Sequence, residues 1–237
     1  MKNLLVTLIL LLQCLNAWAA ASRSFDGASD EIDMGNVLDV TTGDVSLCAW
    51  IKSTEDADAD HWLGKKNNAI ASAGYHIRQA VADTHGAVIA DGTDQLISAS
   101  AVDSDGIWTW VCSVYNGSTQ TNLLYEFAVQ TDSDTNTSVG SLTNAVALQI
   151  GETADDGSDA NGLAAYASVW VSKIMTQVEV AEFMWKPDMA EIASGFWPLW
   201  GDATEIDLSA NANTGTVTGA TTSGDGPPVM FGGGLPI

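Results

Sequence analysis

The chain has 237 residues, a formal net charge of −22 and only eight lysines and arginines, none of them clustered. Such a charge balance repels a phosphate backbone and an anionic membrane surface, which excludes the usual electrostatic routes to nucleic acid and to lipid headgroups. The acidity reads either as solubilising surface charge or as carboxylate-rich loops able to bind a divalent cation.

Residues 1–20 have the parts of a secretory signal. Lys2 precedes an apolar run from Leu4 to Leu12, and Ala17-Trp18-Ala19 forms a small-x-small cleavage site. The run is too short to span a bilayer. Cys14 sits in a lipobox-like context, but Gln13 occupies a place that needs a small residue, so the expectation is an exported, soluble protein. The remainder, 21–223, fits one all-β domain, since sandwiches of that length fold as single units.

From residue 22 onward, short alternating or β-branched segments recur between Gly, Asn, Asp, Ser and Thr clusters. The predicted strands are Ser22–Phe25, Glu31–Met34, Asp44–Lys52, Trp62–Lys65, Gly74–Gln79 and Ala87–Ala90 in the first half. Gln95–Ala99, Ile107–Tyr115, Leu123–Gln130, Val146–Ile150, Gly162–Ser172 and Gly215–Thr218 follow. The period of two puts Trp108, Trp110 and Cys112 on one face of their strand, and Cys48 and Trp50 on one face of theirs. With Cys14 lost in the signal, Cys48 and Cys112 are the two cysteines of the exported chain. An oxidising compartment makes them candidates to pair, and two buried free thiols are the alternative.

One helix is predicted near 176–185. Thr176-Gln177-Val178-Glu179 is a capping box, Val178, Ala181, Phe183 and Met184 give an apolar stripe, and Pro187 ends it. Residues 224–237 carry Gly226-Pro227-Pro228 and Gly232-Gly233-Gly234 and read as a tail or contact arm without regular structure.

Taken in order, Ser24-Phe25-Asp26-Gly27, Leu47-Cys48-Ala49-Trp50-Ile51, Trp108-Thr109-Trp110-Val111-Cys112 and Leu148-Gln149-Ile150-Gly151 resemble the laminin-G-like and pentraxin-like members of the concanavalin A-type β-sandwiches. The closing pieces Pro198-Leu199-Trp200-Gly201, Asp207–Asn211 and Thr214–Gly219 resemble the end of short laminin-G-like chains from bacteria and their phages. The resemblance implies an antiparallel jelly-roll sandwich with one short helix. It also implies a Cys48–Cys112 disulfide, because pentraxins join two strands of this kind.

The acidic loop after Gly151 carries Glu152, Asp155, Asp156 and Asp159, a flexible set of oxygen donors of the kind calcium takes. Pentraxins ligate calcium from the equivalent loop, and Glu152 and Asp155 match that pattern. Asn67, Asn68 and Asp26 are further oxygen donors. Aromatic rings stack on sugar faces, and Trp62, Tyr75, Trp197 and Trp200 are the candidate rim residues for a saccharide, against packing in the core as the alternative. Trp50 and Trp170 read as core.

Catalysis is not expected. Glu31-Ile32-Asp33 and Glu205-Ile206-Asp207 each resemble part of the Glu-x-Asp-x-x-Glu strand of concanavalin-like glucanases, but Asn36 and Ala210 stand where the third acid belongs. His61, His76 and His85 have no zinc-type spacing, and no nucleophile elbow occurs. The reading is an exported, non-catalytic module for glycan or protein surfaces, calcium-assisted through the acidic loop and capable of forming a homo-oligomer. The alternative is a structural or surface-decorating protein of a virion or cell envelope built on the same sandwich.

Overall fold

The structure is a computed structural model that describes residues 22–54, 60–67, 72–80, 84–102, 104–153, 158–187, 192–201 and 203–229. Residues 1–20, expected to be a secretory signal, and most of the tail's glycines lie outside these residues. Two antiparallel sheets face each other. The first runs β10 (Val129–Thr135), β9 (Thr121–Glu126), β8 (Thr109–Asn116), β3 (Val45–Ser53), β12 (Asn161–Val171), β1 (Ser22–Asp26), β16 (Thr221–Ser223), with β13 (Gly195–Trp197) also on β12. The second runs β14 (Thr204–Glu205), β15 (Gly215–Thr218), β2 (Glu31–Asp33), β11 (Gln149–Ile150), β4 (His61–Lys65), β5 (Gly74–Gln79), β6 (His85–Ala90), β7 (Gln95–Ala99).

Alternation builds the core between them. Ile32, Leu63, Ile77 and Ile89 point inward from the second sheet against Leu47, Ala49, Val111 and Val169 of the first, all buried. The first sheet is buried on its other face as well. There Cys48, Trp50, Trp110, Cys112 and Trp170 form a second apolar layer beneath helix α1 (Gln177–Trp185).

Strands β3 and β8 pair with Cys48 opposite Cys112 and Trp50 opposite Trp110. The two cysteines are joined in a disulfide. The two indoles beside them lie 5.8 Å apart, centroid to centroid, and each donates its N–H to a carbonyl of α1: Trp50 to Met184 at 3.2 Å and Trp110 to Val180 at 3.1 Å. The helix starts at its capping box, with Thr176 accepting from the Glu179 amide and Glu179 reaching back to the Thr176 amide. Its buried face is Val180, Phe183 and Met184. Val178, expected in the apolar stripe, is exposed, because the stripe turns toward the tryptophans rather than starting at the first turn.

The expected single strand Leu123–Gln130 is a hairpin. Phe127 and Ala128 both have positive φ, at 48° and 61°, and reverse the chain between β9 and β10. A two-residue turn of that hand normally uses Asn or Gly, so these residues give no turn signal. From β10, Asp132 and Asp134 accept the amides of Ala99 and Ile97 on the edge strand β7, which blunts that edge as a template for strand addition. After β16, Asp225 fastens the chain to the sandwich, accepting from Lys52 Nζ at 2.7 Å and Trp108 Nε1 at 3.1 Å. Those two hydrogen bonds hold its carboxyl below the ordinary aspartate range.

The disulfide closes a loop of 64 residues. Chain entropy gives about 4 kcal/mol for a closure of that size, as an upper guide. The Cys48→Ala/Cys112→Ala protein should therefore unfold at clearly lower urea concentration than the parent, and reductant should move only the parent's midpoint.

Candidate functional site

Strands β2, β11 and β15 lie side by side at one end of the second sheet. Their register sets Ile32, Ile150 and Val217 in an inward row, and it turns Glu31, Asp33, Gln149 and Thr218 outward. Gln149 stands opposite Asp33, and Thr218 opposite Glu31. The outward row is the floor of an open cleft of about 390 Å³, completed by Ser29, Glu152 and Thr153.

The polar chemistry of the cleft is one-sided. An ionised carboxylate only accepts, so the side-chain amide of Gln149 must turn its NH2 to Glu31. That leaves Gln149 Oε1 at the free end, buried and without a partner. Thr153 is 1% exposed, and its Oγ1 also has no partner. Buried polar groups are seldom left so, since each unpaired one costs about 1–3 kcal/mol. Asp33 accepts from the Gly35 amide at 2.6 Å. Gly151 turns the chain from β11 into the acidic loop with φ of 96°, and a Cβ there would lie 2.3 Å from the Phe25 ring.

Glu152 lines the cleft, while Asp159 lies near Asp30 and leaves Oδ1 buried and unpartnered. Burial, with smaller contributions from the neighbouring Asp26 and Asp159 charges, pushes the Asp30 carboxyl up. Buried, mutually repelling oxygens of this kind suit a hard cation. Asp155 and Asp156 lie outside the described residues, and among the described residues no three His, Cys, Asp or Glu side chains converge as a metal cluster. Of the other expected donors, Asp26 Oδ1 accepts from Ala28, the Asn67 carbonyl accepts from Ser72 and Lys66, and Asn68 is outside the described residues.

The expected aromatic rim is corrected at three of its four positions. Trp62 is 1% exposed and packs edge-on against Phe25, because a bulge in β4 lets Trp62 and Leu63 both enter the core. Tyr75 points inward with Ile77, and its hydroxyl donates to the Leu38 carbonyl. Trp197 is buried, with its indole N–H on the Asn213 carbonyl. None of these rings can reach a surface ligand. Trp200 is 47% exposed and rests edge-on on Tyr166. Its loop is clamped by Glu205, which accepts the Leu199, Trp200 and Gly201 amides and the Arg23 guanidinium.

Those contacts also dispose of Glu205 as a catalytic acid. Asp207 is likewise committed, to the amides of Phe196, Ser209 and Asn213. Near the cleft, Asn36 accepts from Lys65 at the position where a glucanase strand has its third acid.

All three histidines are buried. His85 Nδ1 lies 3.0 Å from both Glu126 Oε1 and Ser104 Oγ. A proton relay needs acid and hydroxyl on opposite ring nitrogens, so this cluster ties β6 to β9 and does not activate the serine. His61 and His76 meet Nδ1 to Nδ1 at 3.0 Å, brought together by the β4–β5 register that sequence spacing did not reveal. Gly64, facing His76, has no room for a Cβ, which would fall 2.3 Å from that of His76. Burial first, and then the neighbouring His61, Lys66 and Arg78, hold His76 well below the ordinary histidine range.

Residues 26–181 match the Laminin_G_3 family model, described as the concanavalin A-like lectin/glucanases superfamily. The chain belongs to this family. No curated protein sequence matches it. Among solved structures, this laminin-G domain is similar to a "putative carbohydrate binding protein" from Bacteroides ovatus, with TM-score 0.67 and 13% identity over 90% of this chain and 62% of that one. It thus spans about three fifths of that protein. The heptameric SAP-like pentraxin of Limulus polyphemus aligns with TM-score 0.52 and 14% identity over 70% of this chain and 82% of the other. The CBM40 of the Ruminococcus gnavus IT-sialidase, solved with α2,3-sialyllactose, aligns with TM-score 0.53 and 11% identity over 69% and 97%. At such identities the likeness is one of fold. Among the described residues no helix is long and apolar enough to cross a membrane.

A histidine that is harder to protonate in the fold leaves the unfolded chain binding more protons below about pH 6.5. His76 should therefore contribute fully at neutral pH and lose stability as pH falls through that value, by at most about 1.4 kcal/mol per pH unit. Urea unfolding at neutral and mildly acidic pH should show this slope in the parent, and a smaller one in His76→Gln.

Proposed function

We propose that the protein is an exported, non-catalytic module that binds glycans in the cleft of β2, β11 and β15, with calcium held by the adjoining acidic loop. The observation that carries this reading is the pair of buried, unpartnered acceptors, Gln149 Oε1 and Thr153 Oγ1, lining an open cleft. Sugar hydroxyls are the natural partners for such atoms, since each supplies a donor in a compact frame. Carbohydrate-binding proteins of the same fold, named above, support the reading, as do carboxylates at 205 and 207 that are saturated by structural donors. Export is supported by the signal-like segment 1–20 and fits a disulfide-bonded sandwich. For calcium, the supports are the buried oxygen of Asp159, the cleft carboxylate of Glu152, and the donor types at Asp155 and Asp156.

The decisive variant is Thr153→Val, which removes an unpaired buried hydroxyl while keeping the shape of the side chain. Stability should hold or rise by up to about 1 kcal/mol, because no hydrogen bond is lost. Retention on the glycans that the parent binds should fall about tenfold or more. Unchanged retention would remove the cleft from the binding account. Calcium should raise the parent's melting temperature with occupancy, and Glu152→Gln/Asp159→Asn should lose that rise. A parent melting temperature indifferent to calcium would strike the ion from the account.

A further inference from the structure

We propose that the cleft selects neutral, hydroxyl-rich saccharides and rejects sugars carrying carboxylate, sulfate or phosphate groups, an inference that rests on reading the cleft as a glycan site. Of the seven described residues that line it, three, Glu31, Asp33 and Glu152, are carboxylates, and none of the seven is Lys, Arg or His. The uncharged members do not offset this. Gln149 turns its NH2 to Glu31 and leaves its carbonyl oxygen without a partner, and Thr153 adds a hydroxyl.

The basic groups nearest along the neighbouring strands are turned to other tasks. Lys65 Nζ, with its side chain fully buried, donates to Asn36 and to the Val146 carbonyl and pairs with Asp39. Lys66 Nζ donates to the Asn67 carbonyl and Ser72. Recognition of an anionic sugar normally relies on a charge-assisted donor such as the guanidinium fork, and the described residues that line the cleft include no such group. In calcium-free buffer a carboxylate brought within several ångströms of Glu31, Asp33 and Glu152 is repelled, and the net charge of −22 extends that repulsion outward, whereas a cation held at Glu152 would offset part of it. A sugar hydroxyl meets the opposite situation, because Gln149 Oε1 and Thr153 Oγ1 can each accept its proton. The selectivity therefore runs against that of a sialic-acid reader, even though a CBM40 solved with sialyllactose shares the fold.

The test is an array of glycan pairs that differ only by a terminal sialic or uronic acid, probed with the disulfide-bonded protein in calcium-free buffer at low and high ionic strength. In each bound pair the neutral member should be retained at least about tenfold better at low salt. The gap should narrow as salt shortens the Debye length. Thr218→Arg, which places a guanidinium opposite Glu31 at an exposed position, should raise retention of the acidic member relative to its neutral partner. Glu152→Gln should narrow the gap as well, so the outcome does not hang on one variant. Acidic members retained equally or better at low salt would overturn the selectivity while leaving the glycan reading intact. A gap that ignores salt would overturn its electrostatic basis. Failure to retain any glycan in any pair would instead overturn the reading beneath it.

Discussion

The seam between β3 and β8 decides which surface this sandwich can offer. Cys48 is bonded to Cys112, Trp50 sits against Trp110, and both indoles hand their N–H groups to carbonyls of the one helix. Each such hydrogen bond adds about 1 kcal/mol, and the buried rings add more. The helix is thereby fixed over the outer face of the first sheet's central strands β3, β8 and β12, which are apolar and covered on both sides. The second sheet keeps an outward face. On the second sheet that face divides in two: at β4 and β5 it carries the buried His61–His76 pair, and at β2, β11 and β15 it opens as the acidic cleft.

The cleft gives up stability that an ordinary sheet face would keep. Gln149 Oε1 and Thr153 Oγ1 are withdrawn from water without a partner, and Asp30 is crowded by Asp26 and Asp159. Natural folds keep such defects where function uses them, and a donor-rich ligand or a cation would satisfy these oxygens at little reorganisation. The backbone around them is stiff. Gly151 is pinned against Phe25, and Gln149 is pinned by Glu31 and by its place in the β2–β11 ladder. The acceptors are therefore preorganised, which limits the entropy lost on binding.

Much of the fold was legible because its signals are local. Cys48 and Cys112 lie in strand-like segments of a chain expected to be exported, and the resemblance to pentraxins pairs them. The capping box at Thr176 located the helix to the residue. What escaped depended on long-range register or on unusual backbone. The Phe127-Ala128 turn uses positive φ at residues that do not advertise it. The β4 bulge drew Trp62 into the core despite the polar run before it. The cleft was half legible. Glu152 reads as an oxygen donor in the acidic loop, and Glu31 and Asp33 read as part of a glucanase-like strand. Gln149 and Thr153 give no such signal, because an unpaired acceptor exists only once the strands beside it are in place. Trp200 kept its expected exposure since it lies beyond the end of β13, where Glu205 holds the loop outward.

The central claim is that ligand meets the outer face of β2, β11 and β15 and no other part of the sandwich. The most direct measurement is an amide and side-chain NMR titration of the labelled protein with a neutral oligosaccharide retained on the array. Saturable shifts should concentrate at Glu31, Asp33, Gln149, Thr153 and Thr218, with the Gln149 side-chain amide among the largest. Saturable shifts centred on Trp200 and Tyr166, or on helix α1, with the cleft silent, would contradict the account.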